Sequence, residues 1–301
     1  MPSFAKPATQ AARAVRRRLS LGRARHGQAN DGRIHSRGTA RAYEQALKLA
    51  AEWDRANGGQ GLASFDAVRG LAYLSERAEG VCQKTLDLDR QALSMLPGVG
   101  ELPRVRSTLP TTGHGDRSRA YTAEQIALVA DAQRTRSALA TEVAAAGGLR
   151  AHELLTLRPA AEQPASGHRD WSPERFAGMG DILRYSVVGK GGLVREVALP
   201  ATLAERLEHC RLREPRLVVD RGVQYQQHYE IAGGNTWSSS FSQASTRALG
   251  WSRGAHGVRH SYAQRRMVVL QSNGWTYSDA LGLISQEMGH FRHEITEVYL
   301  R

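Results

Sequence analysis

The sequence has few cysteines and no long apolar run. Its two cysteines, Cys82 and Cys210, are too few for a disulfide framework and indicate a reducing compartment. No stretch reaches the roughly 18 apolar residues of a membrane-spanning helix, so we expect no membrane partner. Residues 1–20 carry positive charge, but no apolar stretch follows them, which argues against a secretory signal. We therefore expect a cytoplasmic protein.

Lysine and aromatic residues are also scarce. Of the 41 basic residues, four are lysines and the other 37 are arginines, and 29 acidic residues leave a net charge of +12. This balance favours a polyanionic partner, with nucleic acid first and an anionic membrane as the rival. The planar guanidinium matches phosphate oxygens, so the arginine excess suits a phosphodiester surface. Aromatic residues make up only 6% of the chain, which argues against an RNA-binding protein.

Basic residues are concentrated at the start of the chain. Residues 1–38 contain nine of them against Asp31 as the one acidic residue. We predict that this segment is a flexible basic arm that follows phosphate groups, and the alternative is a solvated tail that only aids solubility. The predicted phosphate-binding residues of the arm are Arg13, Arg16, Arg17, Arg18, Arg23 and Arg25.

A small helical domain is predicted to follow the arm. Between residues 39 and 97 apolar side chains recur at helical spacing over three segments, and Thr39 is the expected N-cap of the first helix. Residues 98–118 are rich in proline, glycine and threonine, so we predict a linker there.

Residues 119–301 are predicted to form a larger, mostly helical domain that holds a small sheet. Residues 182–199 alternate in polarity around the glycine-rich stretch 189–192, which is typical of a β-hairpin. The chain after Pro200 is expected to be mostly helical, and the loop over residues 159–180 has no assigned role. The predicted fold class is therefore mainly α with a small antiparallel β-sheet.

Three familiar site motifs are incomplete in this sequence. Lys190 lies in a glycine-rich turn without the upstream glycine of a phosphate-binding loop. Glu287-x-x-His290 occurs once, whereas a di-iron carboxylate site needs two copies. His256 and His260 have no glutamate between them and no cysteine partner, which argues against zinc. We therefore expect no metal and no cofactor.

One ordered set of motifs stands out in the second half of the chain. Its members are Gly148-Leu149-Arg150-Ala151-His152-Glu153-Leu154, Gly189-Lys190-Gly191 with Arg195 across the turn, His256-Gly257-Val258-Arg259-His260, Met288-Gly289-His290, and Tyr299. Each piece is common by itself, but their order and the nine-residue step from His290 to Tyr299 resemble the tyrosine recombinase family, the phage integrases. The resemblance covers residues 122–299, and residues 39–97 are similar by layout to the family's core-binding domain.

The residue types in this set fit attack on a phosphodiester. Such attack builds negative charge on two non-bridging oxygens, which the guanidinium groups of Arg150 and Arg259 can bind. A free tyrosine has a pKa of about 10, so Tyr299 needs a base or cationic neighbours to attack at neutral pH. His256 and His290 could accept its proton or donate N–H groups to the phosphate.

The resemblance implies the remaining roles. Lys190 on its hairpin fits the general acid that protonates the departing 5′ oxygen, and Glu153 and His260 are supporting residues. Tyr299 would form a 3′-phosphotyrosyl link that retains the bond energy, so the reaction would need no nucleotide cofactor. The residues implied as catalytic are Arg150, Lys190, His256, Arg259, His290 and, as nucleophile, Tyr299.

The function implied is site-specific DNA recombination, for integration or excision of a mobile element. The expected partner is double-stranded DNA at recombination sites, and the expected state is a monomer when free and a homotetramer on DNA. The helical core-binding domain and the catalytic domain of tyrosine-recombinase type would close around the duplex, and the protein would associate with the nucleoid. Two alternatives remain: a non-catalytic DNA-binding protein on the same scaffold, and a strand-relaxing enzyme similar to type IB topoisomerases.

Overall fold

The computed structural model of the chain describes residues 5–21, 32–109 and 118–301. It divides into two compact units, Met1–His114 and Gly115–Arg301, and each unit has its own apolar core. Every helix within the described residues is too short or too polar to cross a lipid bilayer.

Within its described residues, the first unit is a bundle of four α-helices. These are α1 (Pro7–Arg16), α2 (Arg37–Ala56), α3 (Ala67–Arg77) and α4 (Gln83–Ser94). The three helices predicted between residues 39 and 97 are confirmed as α2, α3 and α4. The N-cap of α2 is Ser36, not Thr39 as predicted, because the Ser36 hydroxyl accepts a hydrogen bond from the Thr39 main-chain nitrogen (3.1 Å).

The predicted flexible arm is wrong for the part that forms α1. This helix packs on α2 and buries Ala11 and Val15 in the core of the first unit. Arg18 is half-buried and donates to the main-chain oxygen of Met95 (3.0 Å). The Arg18 side chain therefore stabilises the first unit. The segment is ordered because α1 buries its apolar face.

The other predicted arm residues are placed differently. Arg13 and Arg16 lie on the exposed side of α1, and Arg17 follows them, also exposed. Arg23 and Arg25 lie outside the described residues.

The prediction also places the start of the linker too early in the chain. Val99 and Leu102 are buried in the core of the first unit, at 5% and 1% exposure. Arg90 donates to the main-chain oxygen of Leu102 (2.8 Å), which fixes this segment further. Residues 98–109 are therefore part of the first unit, and residues 110–117 lie outside the described residues.

The second unit is mainly helical. Its α-helices are α5 (Ala123–Asp131), α6 (Thr135–Gly147), α7 (Ala201–Glu208), α8 (Gly234–Leu249), α9 (Gly257–Ser272), α10 (Tyr277–Glu287) and α11 (His293–Glu297). The Thr122 hydroxyl and the Gln125 amide form a capping box that starts α5. The predicted helical stretch from residue 122 to residue 147 is therefore confirmed as the pair α5 and α6.

A three-stranded antiparallel sheet includes the predicted hairpin. Its strands are β1 (Arg158–Pro159), β2 (Ile182–Val188) and β3 (Val194–Pro200), in the order β1-β2-β3. Val187 pairs with Arg195 across the hairpin, and the turn lies between Gly189 and Leu193. The predicted fold class, mainly α with a small antiparallel sheet, is confirmed.

A second hairpin was not predicted. Strands β4 (Arg211–Asp220) and β5 (Val223–Tyr229) pair antiparallel in a region expected to be helical. Arg221 and Gly222 both have positive φ, at 49° and 76°, which is the backbone of a tight two-residue hairpin turn. The valines and tyrosines beside the turn favour strands, and this local preference outweighs the apolar spacing.

Candidate active site

Arg150, the first predicted catalytic arginine, follows the end of α6. The helix ends at Gly147, and Gly148 adopts left-handed backbone with φ of 61°. A Cβ atom on Gly148 would lie 2.5 Å from the ring of Tyr262, so the position accepts only glycine. The reversal turns Arg150 away from the helix axis, with 24% of its side chain exposed.

Glu153 joins two arginines through one fully buried carboxylate. Its Oε2 accepts from the main-chain nitrogen of Arg150 (2.8 Å) and from Nη2 of Arg195 (2.7 Å). Its Oε1 accepts from Nη1 of Arg150 (2.8 Å). Burial by itself would raise the pKa of Glu153, but the charges of Arg195, Arg259 and Arg150 hold it well below its ordinary value. Glu153 therefore stays ionised and fixes the direction of Arg150.

Arg259, the second predicted arginine, lies in the first turn of α9 and has no exposed surface. Its Nη1 donates to the main-chain oxygen of Gly148, and its Nη2 donates to that of Met288 and to Nε2 of His290 (3.0 Å). Its Nε has no hydrogen-bond partner within the described residues. Burial and the charge of Arg150 lower the pKa of Arg259 to about 9, so the group is still a cation at neutral pH.

The turn between β2 and β3 lies against the first arginine. A Cβ atom on Gly189 would lie 3.3 Å from Oε1 of Glu153 and 4.0 Å from Nη1 of Arg150. Gly189 also donates to the main-chain oxygen of Leu193 (2.7 Å), which closes the turn. Lys190 is the next residue in the chain, so its main chain directly follows the residue that lies against the Arg150–Glu153 pair.

His256 and His260 lie one helical turn apart at the start of α9. Their ring centroids are 5.7 Å apart. His256 is exposed, whereas His260 is 6% exposed. A Cβ atom on Gly257 would lie 2.4 Å from the main-chain oxygen of Arg119, so the absence of a side chain lets the segment before α5 pass beside the helix.

Tyr299, the predicted nucleophile, lies among the three histidines. Its ring centroid is 4.6 Å from that of His260, 5.0 Å from that of His290 and 5.5 Å from that of His256. The Cζ atom of Arg259 lies 5.6 Å from the same centroid. The phenol ring is half-buried, so a ligand can approach it from solvent.

His290 is held in one tautomer by its two neighbours. A guanidinium has no acceptor, so Nε2 of His290 must accept the bond from Arg259. Nδ1 lies 3.2 Å from Oγ1 of Thr296 and carries the proton of the neutral ring. Burial and the charges of Arg259, Arg150 and Arg195 lower the pKa of His290 to about 2. At neutral pH this imidazole is therefore uncharged.

The other two imidazoles are also uncharged at neutral pH. Burial and the nearby charge of Arg119 lower the pKa of His260 to about 4, although a hydrogen bond to the main chain of Tyr299 opposes the shift. Burial of part of the ring and the charge of Arg259 lower the pKa of His256 as well. An uncharged imidazole can accept a proton, so the phenol has potential bases on several sides.

The structure brings most of the predicted site residues into one cluster. The clustered side chains are those of Arg150, Glu153, His256, Arg259, His260, His290 and Tyr299. Of the predicted arm residues, those that the structure describes, Arg13, Arg16, Arg17 and Arg18, belong to the first unit. Among the described residues no group of three or more His, Cys, Asp or Glu side chains has the arrangement of a metal site.

Three neighbours of the cluster had no predicted role. Arg195 appears in the sequence motif after the hairpin turn, but only the structure shows its bond to Glu153. Thr296 fixes the tautomer of His290, and the charge of Arg119 lowers the pKa of His260. No sequence pattern marks Thr296 or Arg119. The partner of Arg119, His260, is far away in the chain, and the partner of Thr296, His290, is separated from it by a turn.

The cluster combines cations with a nucleophile and neutral bases. Arg150 offers a partly exposed guanidinium, and the buried Arg259, whose Nε has no partner among the described residues, adds a second positive charge beside it; together these charges suit an anion such as a phosphate group. The tyrosine hydroxyl can attack such a group while an imidazole takes its proton.

Comparisons with known proteins bear on the fold. No model of a protein family matches the sequence, and no curated protein matches it. Among solved structures, the XerH site-specific recombinase in a post-cleavage complex with its palindromic difH substrate matches with a TM-score of 0.59 and 14% identity, over 100% of this chain and 94% of that one.

Two further structures match over nearly the whole chain. The lambda integrase tetramer bound to a Holliday junction matches with a TM-score of 0.55 and 15% identity, over 100% of this chain and 78% of that one. The Tn1549 transposon integrase in complex with transposon right end DNA matches with a TM-score of 0.52 and 13% identity, over 99% and 95%. The chain has the fold of the tyrosine recombinases, and the resemblance seen in its sequence is confirmed at the level of the fold.

Proposed function

We propose that this protein is a site-specific DNA recombinase that cleaves and rejoins DNA strands through Tyr299, for integration or excision of a mobile element. The observation that carries the proposal is the position of the phenol. Its ring lies within 5.6 Å of the Arg259 guanidinium carbon and contacts three imidazole rings. A tyrosine with a structural role only would not need a buried cation and several neutral bases around it.

The two arginines would bind the scissile phosphate. Arg150 and Arg259 are directed by bonds to Glu153 and to main-chain oxygens, so they need little rearrangement when charge develops on the phosphate. Donors fixed in this way at the site of developing charge are among the largest contributions to catalysis. The partly exposed guanidinium of Arg150 is the group that such a phosphate can reach from solvent, and the buried Arg259 would stabilise the phosphate charge from beneath it.

Strand cleavage would proceed by one substitution at phosphorus. The Tyr299 oxygen forms a bond to phosphorus while the bond from phosphorus to the 5′ oxygen breaks. The phenol proton passes to a neutral imidazole, for which His256 and His260 are the candidates, and Lys190 protonates the departing 5′ oxygen. Attack by the 5′-hydroxyl of a second strand then reverses these steps and frees the tyrosine.

Duplex DNA is the proposed partner. The net charge of +12 and the exposed arginines of α1 suit a phosphate surface. Structures of similar fold hold a difH substrate, transposon end DNA and a Holliday junction. The lambda integrase of similar fold is a tetramer on its junction, which supports assembly of this chain into a homotetramer on paired sites, with a monomer when free. Action on DNA implies association with the nucleoid.

A covalent-capture experiment tests the function. Nicked duplexes with a randomised central sequence are incubated with the protein, so that the short cleaved strand diffuses away and religation fails. We expect a protein–DNA complex that resists detergent and that Tyr299→Phe abolishes. Tyr277→Phe is the matched control, because Tyr277 is an exposed tyrosine at the start of α10 and lies outside the cluster.

The same experiment separates the alternatives. Binding without a covalent complex in the wild type would identify a non-catalytic DNA-binding protein. A covalent complex together with relaxation of supercoiled plasmid, but without strand exchange between captured sites, would identify a strand-relaxing enzyme. Either outcome contradicts the proposal.

A further inference from the structure

The segment from Ser166 to Ala177, which has no role in the reaction above, packs on the loop that carries His290. The ring of Trp171 meets that of Phe291 edge to face, with centroids 4.9 Å apart. The Cζ atom of Arg169 lies 4.8 Å from the centroid of Phe291. Phe291 is the residue that directly follows His290, so the segment covers the end of this loop.

The backbone of this loop is in an unfavourable conformation. Phe291 has φ of 55°, in the left-handed region that residues with a Cβ atom avoid. Gly289 has φ of 68°, and a Cβ atom there would lie 2.9 Å from Cδ of Arg195. Such a backbone persists only where surrounding contacts hold it. Trp171 and Arg169 supply such contacts to Phe291.

Hydrogen bonds tie the same segment to the end of α10. The main-chain nitrogen of Ser172 donates to the side-chain oxygen of Gln286 (2.7 Å). The main-chain nitrogen of Phe176 donates to Oε1 of Glu287 (3.0 Å). Gln286 and Glu287 come just before the Met288-Gly289-His290 motif, and Phe291 comes just after it. The segment therefore contacts the loop at both of its ends.

Glu287 connects these contacts to the buried arginines Arg195 and Arg259. Glu287 is 1% exposed. Its carboxylate accepts hydrogen bonds from the hydroxyl of Tyr262 (2.7 Å) and from Arg266 (2.9 and 3.0 Å). The main-chain oxygen of Glu287 accepts from Arg195, and the next one, on Met288, accepts from Arg259. The position of this short backbone stretch therefore sets the positions of both guanidinium groups.

We infer that residues 166–177 are a positioning element for the active site, in which Trp171, together with Glu287 at the end of α10, holds the His290 loop in its reactive geometry. The inference rests on the proposed recombinase function for its kinetic consequence. Neither residue contacts the phenol in the structure, so each acts through another group: Trp171 through Phe291 and His290, and Glu287 through the main chain that holds the arginines.

Substitution of Trp171 tests the inference by rate and by affinity. With a duplex captured as above and the protein saturating, we expect Trp171→Ala to slow covalent complex formation about tenfold, because small displacements of reacting groups are costly. We expect the DNA dissociation constant to change less than about twofold. Trp171→Phe keeps an aromatic edge for Phe291 and should restore most of the rate. Tyr277→Ala, an exposed aromatic on the same helix as Glu287, is the matched control and should react like the wild type.

A double-mutant cycle separates positioning of His290 from general damage to the fold. In a His290→Ala background, we expect Trp171→Ala to slow the reaction less than about twofold further, since the group it positions is gone. A full tenfold effect in both backgrounds would overturn the inference. So would an unchanged rate in Trp171→Ala with the wild-type background.

An NMR titration tests the same loop without any reaction. Burial keeps the pKa of His290 near 2, so its ring should not titrate between about pH 5 and about pH 8 in the wild type. Loss of Trp171 should open the loop to water and bring a His290 titration into that range. If the wild type forms no covalent complex, the proposed function fails and this titration alone decides the positioning role. A His290 ring that is equally silent in Trp171→Ala would then contradict it.

Discussion

Glu153 is the residue on which the charge balance of the site depends. It has no exposed surface and is the counter-ion of Arg195, itself 1% exposed, and of the half-buried Arg150. Arg195 could not remain buried beside Arg259 without it, because an uncompensated buried charge is strongly destabilising.

Removal of this single charge gives the first prediction. Glu153→Gln keeps the shape of the side chain but leaves Arg195 without its counter-ion, so we expect the free energy of unfolding to fall by about 3–5 kcal/mol. Glu142→Gln is the control, because Glu142 pairs with Arg206 at the surface, where such pairs contribute about 0–1 kcal/mol. Urea denaturation measures both. Equal losses for the two variants would contradict the buried role of Glu153.

The histidines predict a pH dependence of stability. The folded-state pKa values of about 4 for His260 and about 2 for His290 lie below the ordinary value of 6.5. Between about pH 6.5 and about pH 4 the unfolded chain therefore binds protons that the folded chain does not, and the free energy of unfolding falls as the pH falls. Above about pH 6.5 neither state binds these protons, so the effect disappears.

Removal of one histidine should reduce this slope. We expect His260→Gln to flatten it by up to about 1.4 kcal/mol per pH unit, the contribution of one group. Urea denaturation at a series of pH values measures the slope. An unchanged slope in His260→Gln would show that this ring is not held neutral by the fold.

At the scale of elements, the end of α6 decides where the site arginines lie. The main-chain oxygen of Gly148 accepts from Arg259 and from Arg195 (3.4 Å), and the glycine backbone turns the chain toward Arg150. One helix end therefore binds Arg259 and the neighbouring Arg195 and directs the chain to Arg150.

This helix end has a matched counterpart that allows a controlled prediction. Gly148 and Gly250 are both left-handed helix C-caps, with φ of 61° and 77°. A Cβ atom on Gly250 meets nothing within 4 Å, whereas on Gly148 it would overlap Tyr262. We expect Gly250→Ala to cost about 1–2 kcal/mol for the backbone alone and Gly148→Ala clearly more. Thermal denaturation of the two variants compares them, and equal losses would contradict the close contact with Tyr262.

Sequence patterns predicted the elements with regular spacing better than those held by distant contacts. The apolar repeats of α2, α3 and α4 and the alternating strands around Gly189 were predicted because each pattern is local. The β4–β5 hairpin was missed because its turn, Arg221-Gly222, has arginine at a position with positive φ, where asparagine or aspartate is the usual signal.

The same limit applies to the site. The motifs indicated Arg150, His256, Arg259, His290 and Tyr299 because their order and spacing are visible in one dimension. Glu287 gave no such signal as a positioning residue: its partners Phe176 and Tyr262 lie 111 and 25 residues away. Only the folded chain shows that its carboxylate joins them.

At the scale of the whole molecule, the strong positive charge predicts how DNA affinity depends on salt. Arg13, Arg16 and Arg17 are exposed in the first unit and are the residues to substitute. Arg18 is kept because it donates a hydrogen bond to a main-chain oxygen. Each phosphate contact contributes about 0.9 to the slope of log affinity against log salt. We expect the triple substitution to glutamine to weaken DNA binding and reduce this slope by up to about 3, with the melting temperature unchanged.

A single control isolates the charge effect. Arg104→Gln removes an exposed arginine whose charge is already balanced by Asp87 at 2.9 Å, so the slope should stay nearly constant. Filter binding at several salt concentrations measures both variants. A triple variant with the wild-type slope would show that this surface does not meet the DNA backbone.

The proposed reaction makes the Tyr299 oxygen covalently bound to DNA. Its most direct test is mass spectrometry of the captured complex after digestion with nuclease and trypsin. We expect the nucleotide 3′-phosphate on the peptide of residues 293–301, bound to Tyr299. A nucleotide on any other residue, or a trapped complex that survives in Tyr299→Phe, would contradict it.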